Sequence, residues 1–101
     1  MNINKSYQSP VEAIGSTPLV KLNKITAGLS SQIFAKLEFL NPMGSVKDRI
    51  AKYMIEKAEK AGRLKPGDLI IENSSGNTAL GLALMAIQKG YRLKVIVRDS
   101  I

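Results

Sequence analysis

The chain is organised around residues 41–49, which read Asn-Pro-Met-Gly-Ser-Val-Lys-Asp-Arg. Asn-Pro and the following Gly favour a turn, and an amphipathic pattern starts directly after Ser45. Ser45 and Asp48 resemble a capping box, although Asp stands where Glu or Gln is preferred. The stretch therefore predicts a loop-to-helix junction with Lys47 in the first turn, where the helix dipole disfavours an extra cation. A lysine in such a place is a candidate for chemistry.

Length and composition narrow the class of protein. The 101 residues suit one small domain, and 45% hydrophobic with 23% charged residues is ordinary for a globular chain. No apolar run approaches the roughly 20 residues that span a bilayer, and the polar start shows no secretory signal, so we expect a cytoplasmic protein without a membrane partner. Cysteine and histidine are both absent. This excludes disulfides, thiolate zinc sites and histidine bases, and we expect no metal site.

The net charge of +7 raises the alternative of a nucleic-acid surface. The basic residues are spread along the chain, and few aromatic residues interleave with them. A nucleic-acid binder would show steeply salt-dependent binding to DNA. We instead expect a solvated basic surface or an acidic partner, and no nucleic-acid partner.

The order of elements predicts an α/β fold. Residues 1–13 form an arm without a clear pattern. Short apolar or alternating runs predict strands at residues 19–22, 33–39, 69–72 and 93–97, and helical patterns cover residues 46–61 and 78–89. A strand, a helix and a strand joined by short links form a parallel crossover.

The helix faces and the end of the chain lead to further expectations. The first helix should bury a stripe of Val46, Ile50, Met54 and Ala58, widened by Tyr53, Ile55 and Ala61, and expose Asp48. The second helix is apolar almost all round and should be buried on most sides.

A parallel sheet needs cover on both faces, yet the chain ends soon after the last strand, so we expect one portion of a larger domain.

A second informative stretch, residues 72–78, lies where a predicted strand gives way to a helix. Its hydroxyls, amides and glycine could bind a small anion, because ligands lie at this edge of open α/β sheets and helix N-termini favour negative charge. A carboxylate fits this loop, and a phosphate remains open. The alternative is a polar capped turn.

Lys47 and this loop together indicate a more specific chemistry. A lysine near a helix N-terminus and shielded from water has its ammonium form disfavoured, and a neutral amine can form a Schiff base with an aldehyde. A carboxylate loop beside it points to an amino-acid substrate joined to an aldehyde cofactor. The alternative is a salt-bridged surface lysine.

Four segments in order, residues 14–20, 36–38, 41–49 and 75–78, resemble the cysteine synthase / cystathionine β-synthase family of fold-type II enzymes dependent on pyridoxal 5′-phosphate. The resemblance covers residues 14–97 and corresponds to the N-terminal portion of the family. It implies a partial three-layer parallel-sheet fold, truncated before the larger C-terminal domain is complete. Residues 1–40 would be an arm and strands that pair with that larger domain, and residues 41–101 a partial small α/β domain.

The resemblance also implies roles for individual residues. Lys47 looks like the lysine that holds the cofactor and later moves the substrate α-proton, and Asn77 like the residue that hydrogen-bonds the cofactor's 3′-oxygen. The loop that grips the substrate α-carboxylate would consist of Ser74, Ser75, Gly76 and Thr78. Ser74 stands where the family usually has threonine, and Ala79 where it usually has glycine.

The implied reaction is β-replacement on an activated serine, such as O-acetylserine with sulfide to give cysteine. Reactions of the cystathionine β-synthase or diaminopropionate synthase type remain alternatives. The family's phosphate-binding loop and the serine that faces the pyridine nitrogen cannot be assigned here, so we expect a homo-oligomer or a complementing chain to be needed. A competing hypothesis is a non-catalytic fragment or an oligomeric binding module.

Overall fold

The computed structural model describes residues 6–74 and 76–99. Its elements, in chain order, are α1 (Pro10–Ala13), β1 (Leu19–Lys21), β2 (Phe34–Lys36), a 3₁₀ turn (Glu38–Leu40), α2 (Lys47–Lys60), β3 (Leu69–Glu72), α3 (Asn77–Lys89) and β4 (Arg92–Val95). The predicted helices and strands all form, with ends that shift by at most three residues.

The strands form two separate two-stranded sheets. β1 and β2 pair antiparallel, with Val20 opposite Ala35. β3 and β4 pair parallel, with Ile70 opposite Leu93, and α3 connects them. The α/β class and the parallel crossover are therefore confirmed.

Two local predictions were wrong. Residues 10–13 form the short helix α1 with Pro10 at its start, because proline suits the first helical turn. The predicted second strand stops at Lys36, and the chain turns at Glu38–Leu40. Asn41 causes this turn, because its side-chain amide donates to the Glu38 carbonyl at 2.8 Å and to Glu38 Oε2 at 2.7 Å.

The core lies between α2 and α3, and of the predicted apolar stripe of α2 only Ile55 is buried. Val46, Ile50 and Met54 are exposed, whereas Asp48 and Ala51 are fully buried. The reason is that α3 packs on the side of α2 that carries Asp48, Ala51 and Ile55. The buried hydrophobic residues of the described chain are Ile14, Ala51, Ile55, Leu82, Leu84, Met85, Ala86 and Tyr91.

α2 and α3 run in the same direction. Near their N-termini, Gly81 approaches the Lys47 carbonyl so closely that a Cβ on Gly81 would lie 3.2 Å from that oxygen. Near their C-termini, Lys89 Nζ donates to Glu59 Oε1 at 2.8 Å and the Tyr91 hydroxyl donates to Glu59 Oε2. Both helix N-termini therefore lie at the same end of the core.

Part of the apolar surface is open. Ile87 of α3 is 76% exposed and Leu80 is 45% exposed, so α3 is covered on fewer sides than predicted. Ile71 of β3 and Phe34 of β2 are also exposed. No helix among the described residues is long and apolar enough to cross a membrane.

We expect Gly81→Ala to destabilise the chain. The new methyl group would lie 3.0 Å from Ala51 Cβ and 3.3 Å from Asp48 Cα, so the helices would have to separate. Overpacking should outweigh the higher helix propensity of alanine and lower the unfolding free energy by about 1 kcal/mol, measured by urea unfolding. Adding Ala51→Gly should restore part of the loss in a double-mutant cycle. An unchanged or higher unfolding free energy in Gly81→Ala would contradict this packing.

Candidate functional site

The entrance of α2 is built by short-range hydrogen bonds. The Gly44 N–H donates to the Asn41 carbonyl at 2.8 Å, and the Lys47 N–H donates to Ser45 Oγ at 3.1 Å. Asp48 does not complete the predicted capping box, because its Oδ2 accepts from the Met43 N–H at 2.7 Å instead. The carboxylate thus closes the preceding turn rather than capping the helix at Ser45.

The buried Asp48 carboxylate changes the electrostatics of this entrance. It is fully buried in the first turn of α2, where the positive end of the helix dipole stabilises an anion. Its Oδ1 is buried without a hydrogen-bond partner among the described residues. The acidic side chain that favours the start of a helix is therefore Asp48, and Lys47 beside it does not have that role.

The Lys47 side chain is exposed, contrary to the assumption that it is shielded from water. Within residues 6–74 and 76–99 its amine forms no ion pair and no hydrogen bond, which disfavours the alternative of a salt-bridged surface lysine. The amine is thus accessible to a reaction partner.

The second loop joins β3 to α3. α3 begins at Asn77, and among the described residues no side chain caps its start at Gly76. Ser74 Oγ is buried without a hydrogen-bond partner in the described part of the chain. Asn77 is exposed and Thr78 is half-buried. Ser75, also predicted to bind substrate, lies outside the described residues.

The packing of α2 on α3 brings the two predicted site segments to one end of the core. Gly81 lies one turn into α3 and contacts the first turn of α2 at Lys47 and Asp48. A Cβ at Gly76 would meet no atom within 4 Å, so the loop backbone there is open to an approaching group. Two helix N-termini side by side favour an anionic ligand.

Sequence reasoning missed an ion pair that ties the α2 entrance to the rest of the chain. Arg49 Nε lies 2.9 Å from Glu38 Oε2, and Nη2 lies 2.9 Å from Oε1, a fork of charge-assisted hydrogen bonds. These bonds lower the pKa of Glu38 to about 2. No local pattern identifies a pair separated by 11 residues that the 3₁₀ turn brings together.

The same pair holds the segment after α1. Arg49 Nη2 donates to the Gly15 carbonyl at 3.0 Å and to Thr17 Oγ1 at 3.2 Å, and the Gly15 N–H donates to Asn41 Oδ1 at 2.8 Å. Gly15 has φ +86°, and a Cβ there would lie 3.0 Å from Arg49 Nη1. Glycine is therefore required at position 15, both for the positive φ angle and for the space that the Arg49 guanidinium occupies.

A separate cleft of about 310 Å³ lies on the Arg49 side of α2. It does not include Lys47 or the loop after β3, so it is distinct from the predicted site. Its lining consists of Ile14, Gly15, Arg49, Lys52, Tyr53 and Glu56.

Comparisons with known proteins agree with the predicted family. The model of the family "Pyridoxal-phosphate dependent enzyme" matches residues 11–101. Mouse cystathionine beta-synthase is 57% identical over 89 residues, which are 86% of this chain and 16% of the mouse protein. A probable cysteine synthase of Bacillus subtilis is 48% identical over 96 residues, 95% of this chain and 31% of that protein. This chain thus spans less than a third of either relative.

Solved structures show the same relationship. A hydrogen sulfide-producing enzyme from Fusobacterium nucleatum superposes with a TM-score of 0.90 at 44% identity, covering 98% of this chain and 32% of that one. Cysteine synthase from Entamoeba histolytica superposes with a TM-score of 0.85 at 41% identity, covering 94% of this chain and 29% of that one. The described fold is therefore that of one part of these enzymes.

The Glu38–Arg49 pair should make stability depend on acid pH. Because the pKa of Glu38 falls from its usual 4.5 to about 2 on folding, the pair contributes stability above pH 4.5 that is lost as pH falls towards 2. We expect Glu38→Gln to show a smaller loss over this range than the wild type, measured by urea unfolding at successive pH values. Glu59→Gln is the matched carboxylate-to-amide variant at the other end of α2. It should also lose less stability at acid pH than the wild type, because hydrogen bonds with Lys89 and Tyr91 lower the pKa of Glu59. Identical pH profiles for wild type and Glu38→Gln would contradict the assignment.

Proposed function

The chain belongs to the pyridoxal-phosphate dependent enzymes, and from this premise we propose that it carries the lysine and the substrate loop of a β-replacement on an activated serine. The observation that carries the proposal is the contact of Gly81 with the first turn of α2, which brings Lys47 and the loop after β3 to one end of the core. The relatives named cysteine synthase and cystathionine beta-synthase support the reaction class. Conversion of O-acetylserine and sulfide to cysteine is the specific reaction proposed.

The residues present fit pyridoxal 5′-phosphate and an amino-acid substrate. The Lys47 amine is exposed and forms no hydrogen bond with the other described residues, as a group that receives an aldehyde requires. The buried Ser74 Oγ has no hydrogen-bond partner among the described residues, and a substrate carboxylate would supply an acceptor for it. Lys47 and Asn77 would hold the cofactor, with Asn77 hydrogen-bonding its 3′-oxygen.

When bound, the cofactor supplies an electron sink for the substrate's α-carbon. Ser74, Ser75, Gly76 and Thr78 would bind and orient the substrate carboxylate, helped by the positive end of α3. Lys47 Nζ would accept the α-proton, since a lysine amine placed beside the reacting carbon can act as a general base. In the proposed β-replacement the bond from the β-carbon to its substituent would break, and the nucleophile would bond to the β-carbon in its place.

Two further candidates differ in the nucleophile or in the class of protein. Reactions of the cystathionine β-synthase or diaminopropionate synthase type would use the same lysine and loop with another nucleophile. A non-catalytic fragment or binding module would keep the fold without binding the cofactor, and cofactor titration separates it from an enzyme.

We also propose that a second copy or a complementing chain covers part of the surface. Leu19, Phe34, Phe39 and Ile71 are between 49% and 64% exposed, an unusual share of large apolar side chains on the two sheets and the turn that follows β2. In this proposal residues 1–40 contact a larger domain, while residues 41–101 form part of the small one. The cytoplasmic location stays a prediction.

Pyridoxal 5′-phosphate followed by borohydride should label Lys47. The amine adds to the aldehyde carbon, water leaves, and hydride from borohydride reduces the C=N bond, so that a secondary amine marks the site. We expect a visible absorption band before reduction and a peptide label that disappears in Lys47→Ala. Lys52→Ala, five residues along the same helix, is the matched control and should retain the label. Equal labelling of all surface lysines in every variant would refute the cofactor role of Lys47.

Turnover of O-acetylserine and sulfide by the purified 101-residue chain should be very low, because the chain spans about 30% of the structures it matches. Cysteine formation measured against Lys47→Ala tests this. Robust cysteine formation by the wild type would refute the requirement for further polypeptide. If Lys47→Ala abolishes that activity, the proposed reaction is still supported.

A further inference from the structure

The segment from Glu38 to Arg49 is a closed ring. Arg49 holds Glu38 through Nε and Nη2, so the ten residues between them begin and end at one ion pair. Asn41 adds a second tie at the start, with its amide on the Glu38 carbonyl and carboxylate. Lys47 lies two residues before the closing arginine.

The interior of the ring is fixed by bonds that leave the Lys47 backbone little freedom. The Met43 N–H binds the Asp48 carboxylate, the Gly44 N–H binds the Asn41 carbonyl, and the Lys47 N–H binds Ser45 Oγ. On the far side, the Lys47 carbonyl contacts Gly81. With the backbone held from both sides, the direction of the Lys47 side chain depends on how the first turn of α2 is oriented.

The orientation of that turn depends on Arg49. Its guanidinium also reaches the Gly15 carbonyl and Thr17 Oγ1, which fixes α2 against the segment after α1. A planar fork with several donors provides this geometry, and an ammonium group cannot reproduce it. Glu38 completes the fork and compensates the charge.

We propose that Glu38 and Arg49 are positioning residues that hold Lys47 in the orientation in which its amine receives the cofactor aldehyde, an inference that rests on the proposed function. Neither side chain forms a hydrogen bond or ion pair with the lysine amine, so both act through the backbone of the ring. The charge of Arg49 is compensated by Glu38.

The test measures selectivity among lysines of the same helix. The full chain, Glu38→Gln and Arg49→Lys are treated with pyridoxal 5′-phosphate and borohydride, and in parallel with formaldehyde and cyanoborohydride, a small reagent without an orientation requirement. The ratio of label at Lys47 to label at Lys60 is read by peptide mass spectrometry. Glu59→Gln, which breaks the ion pair at the other end of α2, is the matched control.

We expect Glu38→Gln and Arg49→Lys each to lower the Lys47-to-Lys60 labelling ratio with pyridoxal phosphate by about tenfold. Small misplacements of a reacting group have effects of this order or larger. The formaldehyde ratio should stay constant, and Glu59→Gln should leave both ratios unchanged. A purely structural role would instead change labelling of both lysines alike, and that result would overturn the proposal, as would unchanged ratios in both variants.

The wild-type ratio of label at Lys47 to label at Lys60 should be higher with pyridoxal phosphate than with formaldehyde. Equal ratios with the two reagents would refute the cofactor role of Lys47. Hydrogen exchange at the Lys47 amide then decides the positioning role separately. Faster exchange in Arg49→Lys than in Glu59→Gln would support it, and equal exchange would overturn it.

Discussion

The missing side chain at Gly81 is the constraint on which the arrangement depends. It lets α3 approach the first turn of α2 until the Lys47 carbonyl and Ala51 occupy the space that a Cβ would need. Because β3 leads directly into α3, this approach also fixes where the loop after β3 lies relative to Lys47. Gly81 thus determines how close the loop after β3 lies to the start of α2, although it carries no functional group.

Three consecutive charged residues at the start of α2 have three different environments. Lys47 is exposed, Asp48 is fully buried and Arg49 is paired with Glu38. The helix dipole favours Asp48 there and disfavours the two cations. Arg49 is compensated by an anion from another element, whereas the Lys47 amine has no described partner. The Lys47 amine therefore lies at a position that is unfavourable for helix stability, and it is accessible from solvent.

Local sequence signals predicted the element order, the loop-to-helix junction at Lys47 and the loop before α3, because turn formers and periodicity act over a few residues. They did not predict that Asp48 and Ala51 lie on the buried face of α2. Val46 and Ile50 follow the helical period as well as Ala51 does, and only the approach of α3 decides which of them is buried. Family resemblance identified the segment that contains Glu38, but its pairing with Arg49 depends on the 3₁₀ turn. Long-range pairs of this kind have no local signature.

The contact of α2 with α3 at both ends has a consequence for motion. Gly81 fixes the helices at their N-termini, and Glu59 with Lys89 and Tyr91 fixes them at their C-termini. One helix can swing away from another only where their contact at one end is absent, and α2 and α3 are in contact at both ends. Both helices should therefore stay in place relative to each other and form a rigid base for the candidate site.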